Sequence, residues 1–261
     1  MIEEIIKDYS SYNNGMHKSI LDKLFFIDKI NNINGILDYG CADGELINNI
    51  NKIHPIIPHL FGYDLNPTMI NLAKEKNTYK NMKFFDNLDL LLHDSQFNPN
   101  YFCLNLSSVI HEVYSYCEPK EIVDFWDFVF NSNFKYIAIR DMCVSNSCNR
   151  ETDLNDYRKL LTYANLQMLN NYESYWSSCQ NNKNMIHFLL KYRYSTNWER
   201  EVKENYLPIS YETILKLIPK NYEIIYLDHY TLPFLKQKVK EDYDINLIDK
   251  THIKLLLRKK Y

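Results

Sequence analysis

Short apolar runs at residues 36–39, 60–63, 82–85, 101–106 and 134–140 alternate with stretches whose apolar residues return every three or four positions. The runs are short and rich in Ile, Leu, Phe and Tyr, which suits buried strands. The intervening stretches 44–53, one that starts at Asn66 and carries Met69, Ile70, Leu72 and Ala73, and 119–130 read as helices. Ile122, Val123, Phe125, Trp126 and Val129 make the apolar side of the last. Asn66-Pro67 is a helix start, with Asn as cap and Pro at the first position. Strand–helix alternation at this spacing predicts a parallel sheet with right-handed crossovers. Upstream, Ile20, Leu24, Ile27 and Ile30 predict a helix over 17–30.

The pattern changes after residue 143. Residues 150–206 read as mostly helical, rich in Tyr, Asn and charge, and 210–218 as one more helix. Two further strands, 222–228 and 251–258, are joined by a long polar connection. With no repeat and no Gly- or Pro-rich linker, the chain reads as one α/β domain over 1–261. Its parts are an N-terminal helical segment 1–34, a core 35–142, a helical insertion 146–206 and a closing part 207–261.

Composition narrows the class. At 46% hydrophobic and 24% charged, the 261 residues are those of a globular protein, which excludes a disordered tail, a collagen or a coiled coil. No apolar run approaches the roughly 18 residues of a membrane span. The N-terminus, MIEEIIKDYSSYNN, has no basic region followed by an apolar one, so no signal peptide is expected. Six cysteines without a CxxC pair read as reduced thiols of a cytoplasmic protein, with neither a metal site nor a disulfide framework. Residues 1–142 carry 12 Lys+Arg against 19 Asp+Glu, and residues 143–261 carry 18 against 14. The mildly basic second half either meets an anionic substrate or carries scattered surface lysines.

Glycine is the informative skew. The chain has five, and four of them lie between residues 35 and 62. In Ile36-Leu37-Asp38-Tyr39-Gly40-Cys41-Ala42-Asp43-Gly44, a strand ends, one glycine permits a tight turn and a second opens a helix. Such a turn brings bare backbone amides close to a ligand. Asp64, twenty residues beyond Gly44, ends the next strand, where a carboxylate accepts hydrogen bonds from ribose hydroxyls. The spacing is not the GxGxxG of a dinucleotide site, and no GK[ST] of a P-loop occurs. Asp38 would repel a pyrophosphate but suits a ligand carrying an ammonium or sulfonium.

These residues resemble the class I S-adenosylmethionine-dependent methyltransferases. The family's DxGxGxG stands here as Asp38-Tyr39-Gly40-Cys41-Ala42-Asp43-Gly44, with Ala42 in place of a frequent glycine. Asp64, followed by Leu65 and Asn66, matches the ribose-binding acid. Met69 follows in the next helix, and Asp86-Asn87-Leu88 matches the adenine-holding segment. Asn105-Leu106-Ser107-Ser108 matches the end of the fourth strand, beside the methionine part of the cofactor. The resemblance is strong over 35–142 and weak over the last two strands. It implies a three-layer, doubly wound, mostly parallel seven-stranded sheet, with S-adenosyl-L-methionine as cofactor and S-adenosyl-L-homocysteine as product. It also implies that 1–34 forms a lid, with Tyr12, Met16 and Lys18 as candidate contacts; a helix packed on the sheet edge is the alternative.

The acceptor side is less determined. His111, just after the fourth strand, is a candidate general base with Glu112 or Tyr114 orienting it or the substrate. His111 and Glu112 also read simply as first-turn residues of a helix. Arg140-Asp141, ending the fifth strand, point toward the same mouth. The insertion would shape the pocket, and its stretch from His187 to Arg200, with Trp198, is dense in aromatic and basic residues. That stretch either stacks on an anionic or nucleotide substrate or consists of core aromatics with a solvated face. Neither the [DN]PP[FY] of base amino-methylating enzymes nor a Pro-Cys nucleophile stands at this place. The reading is methyl transfer to an oxygen or nitrogen of a small molecule, with no membrane partner. An RNA or cap substrate is the alternative, and a catalytically silent binding subunit is the alternative of another class. Abundant Asn, Ile, Lys and Tyr, whose codons are AT-rich, point to an AT-rich genome (a parasite, a low-GC bacterium, a phage or a large virus), and with the basic second half they keep the cap alternative open.

Overall fold

The computed structural model describes residues 19–77 and 79–260. Seven strands form one sheet: β1 (Gly35–Tyr39), β2 (His59–Tyr63), β3 (Met82–Phe85), β4 (Phe102–Ser107), β5 (Tyr136–Met142), β6 (Tyr222–Tyr230) and β7 (His252–Lys259). Their order is β3-β2-β1-β4-β5-β7-β6. β1 to β5 are parallel, and β7 runs antiparallel to both β5 and β6. The predicted doubly wound, mostly parallel architecture is therefore the observed one.

Alternation along the strands explains the layers. Leu37, Phe61, Leu104 and Ile137 face one core, while their neighbours Ile36, Leu60, Cys103 and Tyr136 face a second on the opposite side of the sheet. Both sides are covered by helices, which is why these central strands read as continuous apolar runs. Asn66 caps the helix Pro67–Lys76 as predicted, its side chain accepting from the amides of Thr68 and Met69.

Two local expectations change. The helix anticipated over 17–30 is, from residue 19 on, one turn at Ile20–Lys23 followed by turns, with Leu24, Phe26 and Ile27 buried beneath. Tyr12, Met16 and Lys18 lie outside the described residues. The polar connection between the last two strands contains the helix Pro233–Tyr243. Its only apolar stripe is Leu235, Val239 and Tyr243, amid Lys, Gln, Glu and Asp, so its periodicity is faint in sequence. That stripe closes a third core with the insertion helices Leu154–Tyr163, Leu166–Trp176 and Asn182–Lys191.

All six cysteines are free thiols. Among the described residues, no helix is long and apolar enough to cross a membrane, and no group of three His, Cys, Asp or Glu is placed to hold a metal ion.

Candidate functional site

The strand order reverses between β1 and β4: the chain winds outward one way through β2 and β3, then returns to the other side of β1. In open α/β sheets the crevice outside the carboxyl ends of the strands at such a point is the ligand site. A cleft lies here, lined by Asp38, Gly40, Cys41, Ala42, Asp43 and Glu45 from the first turn, by Asp64, and by Ser107, Ser108 and Glu112 after β4. Ile20 and Lys23 close it from the N-terminal side.

The turn after β1 holds an unusual backbone. Gly40, Ala42 and Gly44 all adopt positive φ, at +75°, +46° and +75°. A Cβ on Gly40 would stand 2.2 Å from Val109 Cγ2, so glycine is required there for space as well as conformation. The amides of Gly40 and Cys41 both donate to the Tyr63 carbonyl at the end of β2, at 2.7 and 3.0 Å. Asp64 completes the tie: Oδ2 accepts from the Ala42 amide at 2.8 Å and Oδ1 from the Asn66 amide at 2.9 Å. Burial raises the Asp64 carboxyl above its ordinary range while these two amides oppose it.

Asp38 is buried at the floor. Its Oδ1 accepts from Asn105 Nδ2 at 2.7 Å, and Asn105 Oδ1 accepts from Ser107 Oγ at 3.0 Å. Burial pushes the Asp38 carboxyl up to about 7; Asn105 and Lys23 act against this and the Asp64 charge with it.

The other predicted cofactor residues divide by position. Tyr39 turns its ring away, against Tyr63, Phe125 and Phe128. Leu106 is wholly buried in the core and Met69 is buried in its helix, whereas Leu65 is exposed. Asp86 and Asn87 are exposed beyond the end of β3, held near Asp64 by the bond from the Asp64 amide to the Phe85 carbonyl. Asn87 caps the helix Leu88–Leu92, and Leu88 packs against the core.

On the acceptor side, Asp141 is the group that orients His111, in place of Glu112 or Tyr114. Asp141 Oδ1 lies 2.8 Å from His111 Nδ1, and Oδ2 accepts from the Ile110 amide at 2.7 Å. Burial disfavours the charged ring, but the Asp141 charge and its hydrogen bond outweigh that, and the imidazole is pushed up to about 9. The same bond orients the ring and favours its protonated form. Glu112, not His111, lines the cleft. Tyr114 accepts from Trp126 Nε1 at 3.1 Å and packs on the core. Arg140 is buried, its Nε on Asp22 at 2.8 Å and its Nη1 on Ser108 Oγ at 3.1 Å, so it backs the cleft wall.

The aromatic-basic stretch of the insertion is core over 187–191 and half-buried to exposed over 192–200. Lys191 is fully buried and donates to the carbonyls of Glu201 and Glu204. Arg200 meets Glu204 at 2.6 Å and Glu112 at 3.6 Å. Trp198 packs edge-on against Phe188 and donates to Asn171, and it is not among the cleft-lining residues. The reading missed Lys23 and the role of Asp141. A strand-end carboxylate beside the His-bearing segment was a signal for the second; nothing marked the first.

No protein-family model and no curated protein matches the sequence. The structure, however, is similar to solved methyltransferases. One is a SAM-dependent methyltransferase from Anabaena variabilis, with TM-score 0.51 and 14% identity over 95% of this chain and 86% of that one. Another is the plantazolicin methyltransferase BamL, solved with a desmethylPZN analogue and SAH, with TM-score 0.52 and 14% identity over 97% and 88%. A chain of the Pnkp1/Rnl/Hen1 RNA repair complex aligns with TM-score 0.50 and 12% identity over 93% of this chain and 41% of that one.

This chain has the class I methyltransferase fold.

Within the methyltransferase fold, the insertion sits between β5 and β6, and its helices join Pro233–Tyr243 in a core of their own. Glu112, Arg200, Glu204 and Tyr116 link that core to the cleft, with Tyr116 donating to Glu204 at 2.6 Å.

Proposed function

We propose that this chain is an S-adenosylmethionine-dependent methyltransferase acting on an oxygen or nitrogen nucleophile of a small molecule. The observation that carries the reading is the pair of carboxylates, Asp38 and Asp64, flanking a turn of positive-φ backbone at the sheet's switch point. The residues fit the cofactor. Asp64 suits the ribose hydroxyls, Asp86–Leu88 the base, and Asp38 with Asn105 and Ser107 the cationic amino-acid part. The bound cofactor would supply an electrophilic methyl group on sulfur.

The chain's own contribution is placement and electrostatics. Holding an acceptor in line with a methyl group is worth up to about 7–11 kcal/mol for well-oriented partners. Glu112 lines the cleft and is the carboxylate placed to take a proton from the acceptor. His111, whose ring Asp141 orients and whose protonated form it favours, steadies negative charge on that side when it carries the proton. A small acceptor is favoured over RNA because Lys191 and Arg200 turn inward and do not form a basic stacking surface.

Thermal unfolding with S-adenosylmethionine, S-adenosylhomocysteine, NAD and no ligand tests the cofactor. A ligand at 100 times its Kd stabilises by about 2.7 kcal/mol. For a chain of this size that is a shift of roughly 5–10 °C. A response to the two adenosyl sulfur compounds only is expected; a response to NAD alone would refute the reading.

A further inference from the structure

Lys23 is 8% exposed and lines the cleft together with Ser108 and Glu112. The other cations nearby each meet a carboxylate: His111 has Asp141, and Arg140 has Asp22, at 2.8 Å each. The Lys23 ammonium has no hydrogen bond or ion pair with any described residue, and its backbone amide is bonded to the Ser19 carbonyl at 3.0 Å. Burial, then the Arg140 charge, bring its ammonium down to about 8, while Asp38, Asp141 and Glu112 pull it up from beyond contact distance. A buried ammonium without a partner is costly, and an anion bound beside it would offset that cost.

We propose that Lys23 is an anion-binding residue of this cleft, receiving a carboxylate from a bound ligand. The proposal rests on the methyltransferase reading for the choice of ligand. A carboxylate reaches this cleft from the amino-acid end of the cofactor or from the acceptor, and the chemistry at Lys23 is the same.

The test compares wild type, Lys23→Met and Lys23→Arg by thermal unfolding. The probes are S-adenosylhomocysteine, 5′-methylthioadenosine (the same nucleoside without the amino-acid carboxylate), and sodium acetate against sodium chloride at equal ionic strength. Removing an unpaired buried charge raises the melting temperature of ligand-free Lys23→Met by a few degrees. If the carboxylate is the cofactor's, Lys23→Met loses most of the S-adenosylhomocysteine shift and keeps that of methylthioadenosine, and Lys23→Arg restores it. If it is the acceptor's, both nucleoside shifts persist, and only the extra stabilisation by acetate disappears in Lys23→Met. Lys23→Met that matches wild type with every probe overturns the proposal, and so does a ligand-free variant that is less stable. Wild type indifferent to both nucleosides counts against the cofactor reading instead, and the acetate comparison then decides Lys23 on its own.

Discussion

The backbone amide of Ala42 donates to the carboxylate of Asp64 at 2.8 Å across 22 residues of chain. One carboxylate thereby fixes the turn after β1 and, through the Asn66 amide, the entry to the helix Pro67–Lys76. A ligand that takes hydrogen bonds from Asp64 meets a group already aimed by the fold.

Replacing Asp64 should therefore affect binding more than folding. Hydrogen bonds to a charged group are worth about 1.5–3 kcal/mol. Asp64→Asn keeps an acceptor for one amide and is expected to lose about 1 kcal/mol of stability. The same variant should bind S-adenosylhomocysteine at least about tenfold more weakly, because a neutral amide no longer accepts from two hydroxyls. Isothermal titration checks this; unchanged affinity would remove Asp64 from the ribose site.

Two small residues of the turn, Gly40 and Ala42, should respond in opposite directions. Gly40→Ala brings a methyl to 2.2 Å from Val109 and adds left-handed strain. A loss of about 2–5 kcal/mol is expected in urea unfolding. Ala42→Gly relieves the strain of a non-glycine residue at φ +46°, less the added freedom of the unfolded chain. A net gain of about 0.5–1 kcal/mol is expected.

The His111–Asp141 pair makes stability depend on pH. The folded-state value for His111, about 9, lies above the ordinary 6.5. Its contribution is complete below about pH 6.5 and is lost as pH rises through about 9. Asp141→Asn should flatten wild type's decline over that window by on the order of 2–3 kcal/mol. Urea unfolding of both proteins between pH 6 and 10 measures it, and parallel curves would show that the pair is not charged.

Pro233–Tyr243 should behave as part of the insertion. Leu235 is 2% exposed and packs in the third core. Leu235→Ala is expected to cost about 2–5 kcal/mol. Hydrogen exchange should show faster exchange in Leu154–Tyr163, which it packs against, than in β1 or β4. Uniform acceleration across the molecule would mean that insertion and sheet unfold together.

Most of the frame was legible in the sequence because its causes are local. Strands β1 to β5 announce themselves through short apolar runs, and the Gly40–Gly44 turn through glycines where positive φ is needed. The acids Asp38 and Asp64 stand at strand ends, and strand ends in a parallel sheet meet at one edge. The helix Pro233–Tyr243 was hidden because only every fourth residue of it meets the core.

By itself, then, the sequence determined the parallel core, its turn and the acids beside it, since backbone propensity and alternation act within a few residues. Tertiary structure decided what the charges do. Asp141 finds His111 across 30 residues, Arg200 finds Glu112 across 88, and the Lys23 ammonium enters the cleft without a partner among the described residues. Whether a buried charge is paired depends on distances through space, and those exist only once the sheet and the insertion have packed.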